Sequence, residues 1–464
     1  MNEDLALRVL STLRRDGHQA FFVGGCVRDL LLSLPPKDFD IATSATPPEI
    51  TALFPHADLV GAHFGVVLVK EPNASVEVAT FRTEGPYTDG RRPAHVSLVS
   101  EPRLDAQRRD FTINAIFLDP LAPPPPGRIL DYFHGRDDLA RRLIRCVGSP
   151  RARFQEDHLR LLRAVRLAAR LGFSLEEETL AAIRLEAPSL ASIAAERIRD
   201  ELTRILTQPN PAEGLRLLDS TGLLPVVLPE VQRLQGVPQP PEFHPEGDVW
   251  THTLLMLDHL PANSSPTLAW GVLLHDIGKP ATFSVSDRIR FNGHVEAGLA
   301  IARPILARLR FSHDSTEQIL ALVANHMRFG DIHRMKESTL KRFLRLPRFD
   351  EHLALHRADC LGSHGHLDNY HFARRRLDES PPEILRPPRL ITGAGLIALG
   401  YPRGPLFREI LTAVETAQLE GELTTAAEAH AYIRSRWPLH AQSGEAAESG
   451  VGPEQAPGSG NDSG

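Results

Sequence analysis

The chain has 464 residues, 42% of them hydrophobic, and a net charge of −6, which suits two to four domains with sizeable cores. No run approaches the ~18 apolar residues of a membrane span, and the acidic, amphipathic start MNEDLALRVL is unlike a signal peptide. Glu445, Glu448, Glu454 and Asp462 fall in the tail, so the rest is close to neutral, which argues against a protein that coats long RNA and restricts any RNA contact to a local patch.

In chain order, residues 4–16 carry an apolar face of Leu5, Leu7, Val9, Leu10 and Leu13 and read as a helix. Residues 20–23 read as a buried strand, Gly24-Gly25 as a turn, 26–32 as the first turns of a helix and 37–43 as a second strand. Further strands are expected at 66–70, 75–82 and 111–118, with the prolines of 123–126 as a surface connector. From about residue 150 the period is helical, with amphipathic runs at 154–171, 176–187, 194–207, 211–219 and 314–328. The Pro- and Gly-rich stretch 234–248 reads as a link to a third unit, and 441–464, almost without apolar residues, as disordered. No internal repeat is seen. The expected architecture is an α+β head with a mixed sheet at 1–150, then all-α units at 151–235, 236–365 and 366–440. Cys26, Cys146 and Cys360 lie far apart with no CxxC, as suits a reduced, cytoplasmic protein.

Residues 21–43, FFVGGCVRDLLLSLPPKDFDIAT, hold the densest chemistry. Strand, glycine turn and helix start offer unpaired N–H groups to a phosphate. In the strand expected at 37–43, Asp38 and Asp40 are two apart, so both carboxylates face one side while Phe39 points into the core. Adjacent carboxylates repel unless a cation lies between them, and hard oxygen ligands suit Mg²⁺ held together with substrate phosphates.

GGCVRD followed by KDFDIAT resembles the signature of the nucleotidyltransferase superfamily, and more narrowly that of class II tRNA CCA-adding enzymes and bacterial poly(A) polymerases. The resemblance extends over about residues 4–436. It implies that Gly25 and Arg28 bind nucleotide and that Asp38 and Asp40 hold the catalytic Mg²⁺. AQRRDFTINA at 106–115 resembles the family's RRDFTINA motif, which places the planar fork of Arg109 by the triphosphate. Asp131 and Gly135 resemble a short D-x-x-x-G motif that couples head and neck. Glu77 is either a third carboxylate for the metals or a solvent-facing strand residue; the sequence leaves both open. The polar stretch 81–96 has neither helical nor strand period and resembles the loop carried by enzymes that add A.

EDHLRLLRAVRLAAR at 156–170 is the next signal. Asp157 and Arg160 are spaced i,i+3, so they are expected on one helix face. The match to the family's EDxxRxxRxxR implies that they hydrogen-bond the edges of C and A as a protein template, with Arg163 and Arg166 directed at the triphosphate. Glu196-Arg197 and Glu201-Leu202 resemble a neck motif read as structural.

Histidines cluster in the third unit. A helix is expected at 267–276, with Gly278 as its C-cap. His252, His275, Asp276 and Asp359 match the H…HD…D set of HD-domain phosphohydrolases, and His294 and His326 stand where some members hold a second metal. Imidazole with carboxylate suits Ni²⁺, Mn²⁺, Zn²⁺ or Fe²⁺ better than Mg²⁺. Residues 390–433 resemble the family's C-terminal body and tail.

The resemblance implies a Mg²⁺-dependent enzyme that adds C, C and A to tRNA 3′ ends from CTP and ATP, working as a monomer or homodimer. An HD phosphohydrolase would trim the ends. An A-adding enzyme and a poly(A) polymerase are the near alternatives. Residues 59–66 lack the basic pair expected of the latter. The alternative from another class is an HD phosphohydrolase with a passive RNA-binding head, against which intact Asp38, Asp40, Arg109, Asp157 and Arg160 argue.

Overall fold

The computed structural model describes residues 2–60, 65–85, 87, 94–123 and 127–439. Residues 61–64 of the block read against poly(A) polymerase, most of the loop at 86–93, residues 124–126 and the tail from 440 lie outside them.

A helix at Asn2–Arg15 buries Leu5, Val9, Leu10 and Leu13, with Glu3 and Asp4 in its first turn and Arg14 and Arg15 in its last, each suited to the helix dipole. It packs on a seven-stranded mixed sheet ordered Ala57–Leu59, Val66–Glu71, Ala74–Thr80, Asp40–Thr43, Ala20–Val23, Ile116–Asp119, Arg128–Asp131. Asp40–Thr43 runs antiparallel to Ala20–Val23, with Val23 opposite Asp40, and parallel to Ala74–Thr80, with Asp40 opposite Glu77. Helices follow: Pro150–Glu156, Arg160–Leu171, Glu177–Glu186, Ala195–Thr207 and Pro211–Ser220, then Val249–Asp258, Pro266–Leu274, His294–Arg308, His313–Asn325 and Phe349–Leu361. The mixed-sheet head followed by helices is the architecture the sequence implied.

Four expectations are corrected. The second strand begins at Asp40 rather than residue 37, because its partner ends at Val23, where Gly24 turns away at φ 72°. Asp38 therefore lies before the strand, not on it. The strand expected at 111–118 is a 3-10 turn at Thr112–Asn114 followed by Ile116–Asp119. The ends of the polar stretch pair as Arg82–Glu84 with Val96–Leu98. The run at 154–171 is broken: Asp157 is extended, at φ −140° and ψ 104°, and its Oδ1 accepts the N–H of Leu159 at 3.1 Å. Such local side-chain bonds compete with the helix ladder.

Gly278 also differs from its expected role. It has φ −85°, outside the left-handed region, and starts a short helix at Lys279–Thr282. A Cβ there would collide with the carbonyl of His294 and the backbone nitrogen of Gly298, so the residue permits close approach of two helices.

The chain packs as two compact units. Residues 2–332 with 347–375 form one, and 333–346 with 376–439 the other. In the first, one apolar core runs from Leu5 through Phe154 and Leu202 to Ala358. Trp270 is fully buried and donates its indole N–H to Thr203 on Ala195–Thr207 at 2.9 Å, with Phe311 edge-on at 5.1 Å. In the second unit, Glu337–Leu344 packs on Pro405–Glu420 through Arg342 and Arg345, both paired with Glu415.

Candidate active sites

The sheet's Asp40 end and Arg160–Leu171 enclose a cleft of ≈ 650 Å³. All nine head and neck candidates line it: Gly25, Arg28, Asp38, Asp40, Arg109, Asp157, Arg160, Arg163 and Arg166. At its carboxylate end, a Cβ on Gly24 would stand 3.3 Å from an Arg109 nitrogen and 3.8 Å from Asp40 Oδ2. With φ at 72°, that position suits glycine for two reasons. Burial, together with the like charges of Glu77 and Asp38 and against the pull of Arg109, pushes the Asp40 carboxyl up to about 6. A carboxylate so crowded is restored to full ionisation by a divalent cation, and this donor set fits Mg²⁺.

The arginines are held by carboxylates behind them. Arg28 donates to Asn114 Oδ1 at 2.7 Å and pairs with Asp29 at 2.7 Å. Arg109 pairs with Asp105 at 3.0 Å and lies over the Phe117 ring. Arg163 pairs with Asp110 and Arg166 with Glu201, each at 2.7 Å. Burial raises the Asp110 carboxyl, but Arg163 and Arg160 outweigh it and hold it near about 2. Arg160 pairs with Glu156 and donates to the Arg153 carbonyl at 2.9 Å, whereas Asp157 Oδ2 accepts from Arg197 at 2.8 Å. Asp157 and Arg160 thus share a cleft but not a helix face, and each has its own partner. Sequence reading took Arg197 as structural and gave Asp110 and Arg170 no role of their own; each lies inside a motif whose other residues drew the assignment.

The second cluster lies on helices of the same unit. His252 is fully buried; its Nε2 is 3.2 Å from Asp359 and its Nδ1 2.8 Å from Glu246. His275 Nε2 is 2.9 Å from Asp276, which also takes Lys279 at 2.6 Å. His294 and His326 Nε2 are each 3.7 Å from Asp276 Oδ1 and 3.3 Å from one another. Asp276 is pulled well below the carboxylate range by His275 and Lys279 despite its burial, while burial drops His326 to about 4. Burial opposes protonation of His252, yet Asp359 and Glu246 raise it to about 9.

These residues fit a transition metal. His275, His294 and His326 each direct Nδ1 at a backbone carbonyl three residues earlier, at 2.8, 3.0 and 2.8 Å. Each neutral ring then has a free lone pair on Nε2. Two such lone pairs 3.3 Å apart cannot bond each other; two nitrogens on one tetrahedral ion stand about 3.3 Å apart, given metal–nitrogen bonds of about 2.05 Å. The buried Nε2 atoms of His252 and His275 also lack an aligned hydrogen bond. The donors form the sets His252, His275, Asp359 and Asp276, His294, His326. His244 and Glu246, from the stretch read as a link, join His252 in a third set. Their signal, His-Pro-Glu shortly before His252, was masked by the prolines around it.

A nucleotidyltransferase-type head with a charged cleft, joined to helices bearing an HD cluster, defines the class. The poly A polymerase head domain family matches residues 20–145, the probable RNA and SrmB-binding site of polymerase A matches 172–234, and the HD domain matches 248–361. A CCA-adding enzyme of Geobacillus sp. (strain WCH70) is 34% identical over 442 residues, 94% of this chain and 96% of the relative. Another, of Geobacillus thermodenitrificans (strain NG80-2), is 49% identical over 218 residues, 47% of this chain and 53% of the relative. The crystal structure of the Bacillus stearothermophilus CCA-adding enzyme in complex with CTP is similar at a TM-score of 0.72 and 30% identity, covering 93% of this chain and 96% of that one. The chain belongs to the CCA-adding enzyme family of tRNA nucleotidyltransferases.

Proposed function

We propose that this chain adds C, C and A to tRNA 3′ ends from CTP and ATP, in the cytoplasm, using the cleft between head and neck. The observation that carries the reading is the convergence of Asp38 and Asp40, four arginines and the pair Asp157 and Arg160 on one cleft. The reaction joins the RNA 3′-oxygen to the α-phosphorus of the nucleotide and breaks the bond to pyrophosphate. Mg²⁺ held by Asp38 and Asp40 supplies activation of the 3′-hydroxyl and neutralisation of the leaving group. Arg28, Arg109, Arg163 and Arg166 bind and orient the triphosphate, Gly25 lets the backbone approach it, and Asp157 and Arg160 select the base. The similarity to an enzyme solved with CTP supports the nucleotide class.

In the same reading, His252, His275, Asp276 and Asp359 hold a transition metal such as Ni²⁺, Mn²⁺, Zn²⁺ or Fe²⁺, with His294 and His326 beside a second. Bound metal supplies Lewis acidity for hydrolysis of cyclic or terminal phosphates, and Lys279 adds positive charge at the cleft. The test is incubation of the purified chain with tRNA lacking its CCA and each labelled nucleoside triphosphate. Incorporation of two C and one A, lost in Asp38→Ala and Asp40→Ala while tRNA binding persists, is expected. Incorporation of A alone, runs of A, or none would support the A-adding, poly(A) or HD-only alternatives instead.

A further inference from the structure

The strap at 236–248 is built as a rigid element. Asp248 accepts from Gly236 N at 2.7 Å and from Thr251 N at 2.8 Å, Val249 N donates to the Val237 carbonyl at 3.0 Å, and Lys279 Nζ donates to Gln239 Oε1 at 2.6 Å. Between these anchors, Glu246 is turned inward, its side chain only 7% exposed. Its Oε1 lies 2.8 Å from His252 Nδ1 and 2.9 Å from His244 Nδ1. The Gly362 carbonyl lies in hydrogen-bonding line with His252 Nδ1 at 3.4 Å, so that nitrogen has two acceptors beside it. The His244 and His252 rings meet edge to face at 4.8 Å, and His244 lines the ≈ 1220 Å³ cleft over the metal cluster.

We propose that Glu246 is a positioning residue of the HD metal centre: its Oε1 accepts Nδ1–H from His244 and places a negative charge 2.8 Å from His252 Nδ1, favouring the tautomer that turns His252 Nε2 toward the ion and leaves His244 Nε2 facing the cleft. The other three histidines of the cluster get the same service from backbone carbonyls. His252 has the Gly362 carbonyl at 3.4 Å and, in addition, a charged carboxylate at 2.8 Å, which favours the N–H form of Nδ1 more strongly and raises the ring's basicity as a ligand. Glu246 Oε2 is buried without a hydrogen-bond partner, so the metal stoichiometry separates a positioning residue from a ligand. The inference rests on the metal reading of the HD cluster.

The test uses the full chain stripped of metal and titrated with Co²⁺, reading affinity by equilibrium dialysis, stoichiometry by elemental analysis and geometry by the visible d–d bands. Retained CTP addition to truncated tRNA shows that each variant is folded. Glu246→Gln should keep the stoichiometry of the unaltered chain, weaken Co²⁺ binding about 10- to 100-fold and alter the d–d bands. His244→Ala, which leaves the Glu246–His252 contact in place, should keep the affinity of the unaltered chain. Unchanged affinity in Glu246→Gln overturns the proposal. So does loss of one whole ion per chain, which would make Glu246 a ligand, and so does an equal loss in His244→Ala, which would assign the effect to the fold of the strap. Failure of the unaltered chain to bind Co²⁺ overturns the metal reading itself and this inference with it.

Discussion

Asp157 is held from two sides, by the Leu159 N–H and by the guanidinium of Arg197. That changes which substitutions should blur base choice. If Asp157 selects the base as proposed, Asp157→Ala removes an acceptor for the exocyclic amine shared by C and A. A mismatch then no longer leaves a buried group unpaired, a discrimination of about 1–3 kcal/mol. UTP and GTP should be used at rates closer to CTP and ATP, read as kcat/KM for the four nucleotides on tRNA lacking CCA. Arg197→Ala should move specificity the same way by a smaller factor, since the carboxylate remains but is less fixed. Asp40 makes a different prediction. Its folded value of about 6 lies above its ordinary 3.8, so the folded state binds more protons than the unfolded between those values. In EDTA, stability should therefore fall as pH rises through that window, by no more than about 3 kcal/mol. Asp40→Asn should abolish the fall and melt higher than the unaltered chain above pH ~6. A melting temperature independent of this carboxyl at pH 5 and 8 would contradict the crowding at the sheet end.

Among elements, what sequence could resolve depended on where the cause lay. The Asn2–Arg15 helix and the Ala20–Val23 strand were legible because their apolar pattern is local. The start of the Asp40–Thr43 strand was not, since it is set by where a partner strand ends. The break at Asp157 was hidden because Phe154 before it and Leu161, Leu162 and Val165 after it keep one helical period across it. The site's residue types were readable in short motifs, but the bond of Arg197 to Asp157 and the place of Glu246 beside His252 were not, because those contacts span 40 and six residues of sequence. Gly278 shows the same limit: the neighbour that demands it is the start of His294–Arg308. Gly278→Ala must push that helix from the cluster, so a loss of about 1–3 kcal/mol in urea unfolding is expected, with weaker Co²⁺ binding. A variant of full stability would show that the helices do not meet at this backbone.

For the molecule as a whole, head, neck and HD helices of the first unit share one apolar core rather than three. Elements with a common core lose their contacts together, so that unit should unfold in a single calorimetric transition, and separate transitions for residues 2–150 and for the HD helices would contradict it. Among the described residues, no helix is long and apolar enough to cross a membrane. Cys26, Cys146 and Cys360 are buried and unpaired. Trp270 adds a practical consequence. Of the chain's three tryptophans, it alone is fully buried, while Trp250 and Trp437 are partly exposed. Its indole is bonded to the neck helix that carries Arg197, and it sits on the helix that leads into His275. The protein thus carries its own fluorophore at the seam between its two chemistries, whose emission shifts to the red when neck and HD helices part.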